Sequence, residues 1–449
     1  MVVMKFGGSS VADALRLRHI AEIVKTQLDR KPALVLSAMG DTTDHLLEAG
    51  DTALEHGRVE IKNVEKLHLA TVKGLKLPIQ KDLNKLLDEL TRLLSGIALI
   101  RELTPRTKDY LVSFGERLSV RITAAYFQSI GINAKAFDAF DVGFFSNSNF
   151  GHAELLKESW ELIPQKILPA IEEGILPIVT GFIAKNEKGN ITTLGRGGSD
   201  LSATMIAASC KADEVQVWKD VDGILTADPR IVKNPRPVQS VTYEEAAELA
   251  YFGAQVLHPR AMLPCMKTGT PVLVKNSYNI KAPGTRIEQS SGTAKNGPPV
   301  RAITSKNKVI LVDIVSTRML GQYGFLNEVF SIFARNNISV DMVATSEVSV
   351  SLTVDAAHDL DEAKKELGKI ANVEIKTEKA IVSIIGNVKR SSEILARAFR
   401  ICQLIAVPVQ MISQGASKVN ISFIVNNTEA AEVVKALHLE FFEGMEKPS

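Results

Sequence analysis

Ile191–Met205, ITTLGRGGSDLSATM, packs three glycines, an arginine and an aspartate between Gly195 and Asp200, immediately ahead of a segment patterned as a helix. Glycine lets backbone N–H groups approach an anion closely, and the start of a following helix adds positive partial charge there. Arg196 is suited to hold a carboxylate through two parallel hydrogen bonds, while Asp200 supplies a fixed negative charge. A second glycine turn, Lys5-Phe6-Gly7-Gly8-Ser9-Ser10, follows the apolar run Val2–Met4 and precedes another helical segment. Singly, either loop reads as a plain strand-to-helix turn. Together they predict phosphates and a small carboxylate meeting over a sheet.

From the start to about residue 290, strand-like runs alternate with helical patterns. Val2–Met4, Ala33–Ser37, Leu176–Gly181, Glu214–Trp218 and Pro271–Val274 are short, Val/Ile/Leu-rich candidates for buried parallel strands. Between them lie the amphipathic stretches Leu15–Gln27, Glu116–Ile130 and Leu201–Cys210, so an α/β sheet covered by helices on both faces is expected. Residues 51–110 read as a helix-rich excursion, and Ser290–Pro299 has the composition of a linker.

Beyond Arg301 the chain repeats itself. At one constant offset Leu326 falls on Leu395, Phe330 on Phe399, Ile332 on Ile401, Ile338 on Val407, Val340 on Val409 and Met342 on Met411. After two inserted residues Val348, Val350, Leu352 and Val354 fall on Val419, Ile421, Phe423 and Val425, and the leading strands Val309–Ile314 and Ala380–Ile385 also correspond. Each copy reads strand, helix, strand, strand, helix, and Val373–Thr377 offers the first a closing strand. That is the ferredoxin-like β-α-β-β-α-β unit, twice.

The bulk properties exclude several classes. A chain of 449 residues has room for about three domains. Apolar residues at 45% and charged residues at 23% are ordinary for a globular protein with large cores. A net charge of +2 is too balanced for electrostatic capture of nucleic acid or of an anionic membrane, and no apolar run approaches membrane-spanning length. Cys210, Cys265 and Cys402, odd in number and widely spaced, are expected to be reduced core thiols. Met1 leads straight into the first predicted strand, so no targeting segment is read in this sequence.

The motifs are too many to be independent. KFGGSS (5–10), SFGE (113–116), TGF (180–182), TTLGRGGSD (192–200), VWKDVDGILTADPR (217–230) and FGAQVLHP (252–259) resemble the aspartate kinases of the amino-acid kinase family. STRMLGQYGFL (316–326), SVDMVATSEVSVSL (339–352) and VQMISQGASKVNISFIVN (409–426) resemble two ACT regulatory units. WKDVDG, YFGAQVLHP and VKNSYNIKAPGT are most similar to the monofunctional, lysine-sensitive plant enzymes. The resemblance covers essentially the whole chain. It implies a carbamate-kinase-like three-layer sandwich over residues 1–300, a first ACT unit over 301–379 and a second over 380–449. It also implies transfer of phosphate from MgATP to the β-carboxylate of L-aspartate, opening synthesis of lysine, threonine, isoleucine and methionine.

The chemistry fits the residues. A carboxylate nucleophile is already ionised at neutral pH, so no general base is needed; the difficulty is bringing an anion against a polyanion. Positive charge and in-line positioning are the tools. Lys5 is the candidate to bridge transferred and leaving phosphate oxygens, with Gly7, Gly8 and Ser9 completing the cradle. There is no G-x-x-x-x-G-K-[ST] signature, which excludes a P-loop site. Glu116 suits the α-ammonium of aspartate and Arg196 its α-carboxylate. Gly197, Gly198 and Ser199 share the Arg196 loop, and the hydroxyls of Ser37 and Thr43 are placed to donate to substrate. Asp200 is expected to orient Lys5, or a metal, electrostatically. The bland alternatives are a helix-dipole charge for Glu116 and a helix cap for Asp200. Lys219, Asp220, Leu225, Arg230, Gln255 and Val256 are expected around the nucleotide. Mg²⁺ would be held by ATP oxygens and water, without a dedicated protein cage. Three departures stand out: Gln255 where many bacterial relatives have Lys, Leu225 where they often have Tyr, and MGDTTD (39–44) where plant relatives tend to have MGKTTN.

In the repeated tail Asp341 and Glu347 fall opposite Gln410 and Ala416, so only the first copy is equipped with carboxylates for the ammonium groups of lysine. Met319, Gly324, Phe325 and Leu326 would flank the effector's stem, and Ser339 and Ser346 would complete the pocket. Either acid alone also reads as a solvated loop residue. The resemblance implies a homodimer through the ACT units, with S-adenosylmethionine as a further effector on the plant-like similarity alone. Location follows the source: chloroplast stroma in a plant, cytoplasm otherwise. The competing readings are a kinase for N-acetylglutamate or glutamate, a fusion to a homoserine dehydrogenase, and a non-catalytic amino-acid sensor. An N-acetylated substrate would leave Glu116 without purpose, no dinucleotide-binding segment follows the repeats, and a sensor would not need Lys5, Arg196 and Asp200.

Overall fold

The computed structural model describes residues 1–79, 81–252, 257–289, 299–316, 323–356, 359–386, 390–414 and 419–443. Two compact units divide the chain: Met1–Ile224, Gln239–Tyr243 and Val256–Ser291 form the first, and Leu225–Val238, Glu244–Gln255 and Gly292–Ser449 the second.

The first unit begins with β1 (Val2–Phe6), α1 (Ala14–Lys25) and β2 (Ala33–Leu36). The helical excursion follows as α2 (Thr42–His56), α3 (Lys62–Gly74), α4 (Lys81–Ile100) and α5 (Pro105–Ser129). Then come β3 (Ala134–Phe137), β4 (Phe145–Ser146), α6 (Ser159–Glu172), β5 (Leu176–Thr180), β6 (Ile183–Asn186), β7 (Ile191–Thr193), α7 (Gly198–Ser209) and β8 (Glu214–Lys219). β9 (Ser240–Thr242), α8 (Tyr243–Tyr251, which beyond Tyr243 belongs to the second unit), α9 (Pro259–Thr268), β10 (Val272–Asn276) and β11 (Thr285–Glu288) complete the series.

Eight strands form one sheet in the order β3-β5-β2-β1-β8-β10-β11-β9, and β4-β6-β7 form a small second sheet. All neighbours in the large sheet run parallel except β10 and β11. The five predicted strands are five of its members. β1 is central and buried throughout. Val2, Met4 and Phe6 enter a core shared with α1 to α5, whereas Lys5 turns to the opposite face, where it meets α7. That alternation is the sandwich: one strand, two covered faces. Cys210, Cys265 and Cys402 are buried free thiols, as expected. Among the described residues no helix is long and apolar enough to cross a membrane.

The second unit is built on one six-stranded sheet. β12 (Val300–Val315), α10 (Phe325–Arg335), β13 (Val340–Thr345), β14 (Ser349–Asp355), α11 (Asp361–Leu367) and β15 (Asn372–Gly386) precede α12 (Ser391–Leu404), β16 (Met411–Ser413), β17 (Asn420–Asn426) and α13 (Ala430–His438). The strand order is β13-β14-β12-β15-β17-β16. Both long strands are shared between the copies. Val309–Val315 pairs with β14 on one side and with Asn372–Lys379 on the other, forming the first ferredoxin-like sheet with β13. Val300–Lys306 pairs with Ile381–Gly386, which pairs with β17 and through it with β16, forming the second. The second copy thus receives its fourth strand from the chain ahead of the first. α10 and α11 pack over one half of the sheet, α12 and α13 over the other.

Candidate active site

The C-terminal ends of the parallel strands converge on one cleft, the usual place for ligands in an open α/β sheet. Lys5, next to last in β1, is in register with Val35 and Val217. Its Nζ stands 2.6 Å from Asp200 Oδ1, and Lys219 Nζ, at the end of β8, lies 3.8 Å from Asp200 Oδ2. All three sit low in the site, with Lys5 7% and Asp200 6% exposed. Burial works to raise the Asp200 carboxyl, but the ammonium groups of Lys5 and Lys219 hold it below the usual carboxylate range. Burial lowers Lys219, with Asp200 opposing. Asp200 is therefore an anchored anion and a poor base.

The Arg196 loop needs its glycines. Gly195 and Gly197 have φ of 72° and 74°, a region other residues avoid. A Cβ on Gly198 would come 2.8 Å from the Phe182 ring. Gly197 is the N-cap of α7 and no side chain caps the helix, so its first amides and dipole face the cleft. On the other wall, a Cβ on Gly8 would come 2.9 Å from the Ala38 carbonyl, while the Gly40 N–H donates to the Gly8 carbonyl at 3.1 Å. The two turns that the sequence singled out thus face each other across a cavity of about 540 Å³. Lys5, Gly8, Ser37, Thr43, Glu116 and Arg196–Asp200 line it. Gly7 packs against Lys5 from outside that lining, with an added Cβ 3.6 Å from Nζ. Ser9 and Asp220 are exposed.

Glu116 carries the clearest signal. It lies mid-helix in α5, 4% exposed, which removes its reading as a charge at a helix start. The helix begins eleven residues earlier than expected, at Pro105, capped by the Thr104 hydroxyl accepting the Thr107 N–H at 3.2 Å. The Ala38 N–H donates to Glu116 Oε1 at 3.1 Å, and Oε2 is buried with no hydrogen-bond partner. Burial pushes the Glu116 carboxyl up to about 8, against the Ala38 amide and the charge of Lys5. Such a group lacks one thing: a cationic donor in the cavity.

Gly195, part of the glycine loop read from the sequence, also lines the cavity, as do Ala38, Gly40 and Phe182, which were not anticipated there. Phe182 has φ 68°, rare for a bulky side chain, and is held there by its N–H to Ser202 Oγ (3.1 Å) and its carbonyl to the Leu194 N–H (2.8 Å). Within the second unit, Leu225 bridges to Pro237 and Arg230 is exposed and bound to its neighbour Asp228 by Nη2 at 2.6 Å. Gln255, Val256 and Met319 lie outside the described residues.

The expected effector residues are spread over α10, β13 and the following turn. Gly324, at φ 92°, caps α10; Phe325 is buried and Leu326 exposed. Ser339, Ser346 and Glu347 are exposed, with Ser346 Oγ accepting the N–H groups of Val348 (3.3 Å) and Ser349 (3.1 Å). Asp341 is not a solvated acid: its side chain is 5% exposed, with Lys306 Nζ at 2.6 Å and the Tyr251 hydroxyl donating at 2.6 Å.

Known proteins are similar to this chain in sequence and fold. Residues 1–276 match the amino acid kinase family, and residues 312–369 and 382–441 each match the ACT domain. The chain belongs to the amino acid kinase family. Its relatives there are aspartokinases. Aspartokinase 1, chloroplastic, of Arabidopsis thaliana is 51% identical over 98% of this chain and 80% of its own length. Lysine-sensitive aspartokinase 3 of Escherichia coli is 36% identical over 99% of both chains. The crystal structure of E. coli aspartokinase III in complex with aspartate and ADP superposes with a TM-score of 0.84 at 35% identity, covering 98% of this chain and all of that one.

Proposed function

We propose that this family member is an aspartate kinase, transferring the γ-phosphoryl group of ATP to the β-carboxylate of L-aspartate to give 4-phospho-L-aspartate. That is the first step toward lysine, threonine, methionine and isoleucine. The carrying observation is the buried, half-satisfied Glu116 carboxylate in the same cavity as Arg196 and the Lys5–Asp200 pair, with Lys219 beside Asp200. An α-amino acid offers the ammonium that Glu116 lacks and the carboxylate that Arg196 matches bidentately. Ser37, Thr43 and the amides of Gly197, Gly198 and Ser199 orient the rest of the substrate. Lys5 neutralises the transferring phosphoryl oxygens, with Gly8 against them and Asp200 fixing its ammonium. The substrate carboxylate attacks phosphorus already ionised, so no proton is removed, and ADP leaves as Lys219 balances charge. Mg²⁺ enters with ATP as part of the substrate, held by phosphate oxygens and water. Among the described residues no group of three or more His, Cys, Asp or Glu stands ready for a metal.

In this reading residues 1–300 carry the catalytic domain, less Leu225–Val238 and Glu244–Gln255, which fold with the second unit, and 301–379 and 380–449 carry the two ACT units, with Val300–Lys306 completing the later one. Lysine inhibits through them, and the chain acts as a homodimer with S-adenosylmethionine as a candidate second effector. A plant source would place the protein in the chloroplast stroma, another source in the cytoplasm. A coupled assay offering aspartate, glutamate and N-acetylglutamate in parallel, with and without lysine, tests the reading. Turnover of aspartate alone, depressed by lysine, is expected; preference for N-acetylglutamate overturns it.

A further inference from the structure

Two glycines at positive φ flank Arg196, and the Gly198 N–H closes the turn around it by donating to the Gly195 carbonyl at 2.9 Å. The root of this loop is fastened by two oppositely charged side chains that the mechanism does not use. Asp109 of α5, 3% exposed, accepts with Oδ2 the N–H of Thr193 (2.8 Å) and of Gly151 (3.0 Å), and with Oδ1 the Thr193 hydroxyl (2.9 Å). Arg260, in the first turn of α9, donates through Nη1 to the Leu194 carbonyl (3.1 Å) and through Nη2 to the Ala153 carbonyl (2.6 Å). The Ala153 N–H donates to the Thr193 carbonyl at 2.9 Å between them. The carboxylate collects donors and the guanidinium collects acceptors from the same two segments, 151–153 and 193–194. Arg196 lies two residues beyond.

We infer that Asp109 and Arg260 are a clamp of positioning residues that sets where Arg196 stands and hence how tightly the amino-acid substrate is held. This rests on Arg196 receiving the substrate carboxylate. A clamp acting through Arg196 weakens the amino acid and spares the nucleotide, whereas a merely structural role lowers both alike. The chemistry also predicts a rescue. In Asp109→Asn the amide oxygen accepts both N–H groups and the amide nitrogen donates to the Thr193 hydroxyl, so every contact survives without the charge.

The test is steady-state kinetics of the full chain with aspartate and MgATP varied separately. Asp109→Ala and Arg260→Met are expected to raise KM for aspartate at least about tenfold with KM for MgATP within about twofold, a loss of about 1.4 kcal/mol. Asp109→Asn is expected within about threefold of the parent, and the double variant below the product of the singles because both act on one loop. Should Asp109→Ala not fold, Thr193→Val removes only the hydroxyl contact and is expected to raise KM for aspartate about threefold. An unchanged aspartate KM in Arg260→Met and Thr193→Val, or equal losses for both substrates, overturns the clamp. Arg196→Ala separates the two ideas: no rise in its aspartate KM defeats the site assignment, while a rise there without one in the clamp variants defeats the clamp alone.

Discussion

Replacing Glu116 by Gln should stabilise the protein at alkaline pH while destroying its grip on aspartate. Burial displaces the Glu116 carboxyl from 4.5 to about 8. At about 1.4 kcal/mol for each pH unit of displacement, the ionised group costs the folded state at most about 5 kcal/mol. The sign follows from linkage. A carboxyl raised in the folded state carries its full favourable contribution below pH 4.5 and loses it as pH climbs through about 8. Glutamine keeps the amide-accepting oxygen toward Ala38 and never ionises. Relaxation around the site reduces the ceiling, so about 2 kcal/mol at pH 8.5 is expected, or about 4–8 °C in Tm for a domain of this size. At pH 4.5 the two proteins should melt together. Calorimetric melting of parent and variant across pH 4.5–9 measures the gap directly. A second readout uses the same proton: a free site that binds one below pH 8 must release it when the α-ammonium arrives. KM for aspartate should then fall up to about tenfold per pH unit between 6 and 8 in the parent and stay flat in the variant. A melting gap that is the same at pH 5 and pH 8.5 refutes the burial argument, whatever the kinetics do.

Two further outcomes follow from the geometry and one from the charge difference between the repeats. Lys5→Met should lower kcat by at least about 10²-fold while calorimetry still detects aspartate, because it removes the ammonium 2.6 Å from Asp200 and leaves Glu116 and Arg196 intact; near-normal turnover would refute the phosphate role. Gly8→Ala places a methyl group 2.9 Å from the Ala38 carbonyl, and the forced shift should cost about 1–3 kcal/mol of stability and raise KM for aspartate, since the Ala38 amide holds Glu116. Glu347→Ala should weaken lysine inhibition at least about fivefold, each variant scored against its own lysine-free rate. Unaltered lysine sensitivity would remove Glu347 from the effector pocket.

The central strands were readable because they are buried on both faces, which leaves continuous runs of Val, Ile and Leu. β3, β9 and β11 were not, being short strands on or near the sheet margins with few residues to pattern. α5 was caught only in its second half. Around Glu116 it is buried on every side, so the polar stripe that marks a surface helix is missing. At the site, charges and glycines were legible because each has a side-chain or φ requirement. The Ala38 amide, the carbonyls held by Arg260 and the positive φ of Phe182 are main-chain properties, and no residue type announces them. Asp109 and Arg260 were invisible for much the same reason: apart from the Thr193 hydroxyl, their partners are backbone.

The long rails β12 and β15 have a consequence for anyone dissecting the tail. Because Val300–Lys306 completes the later repeat and Asn372–Lys376 the earlier one, the halves are interleaved like clasped hands. A fragment ending near residue 379 would carry one stray segment, and its complement would expose the margin of β15. Transplanting Val300–Lys306 behind α13, by contrast, would rebuild the sheet of the later repeat as one uninterrupted run, while its core would still need Ala227 and Val232 from the earlier chain. One module lies within the span of the other, and the two meet where β12 and β15 break register, with Lys308 and Glu378 at positive φ.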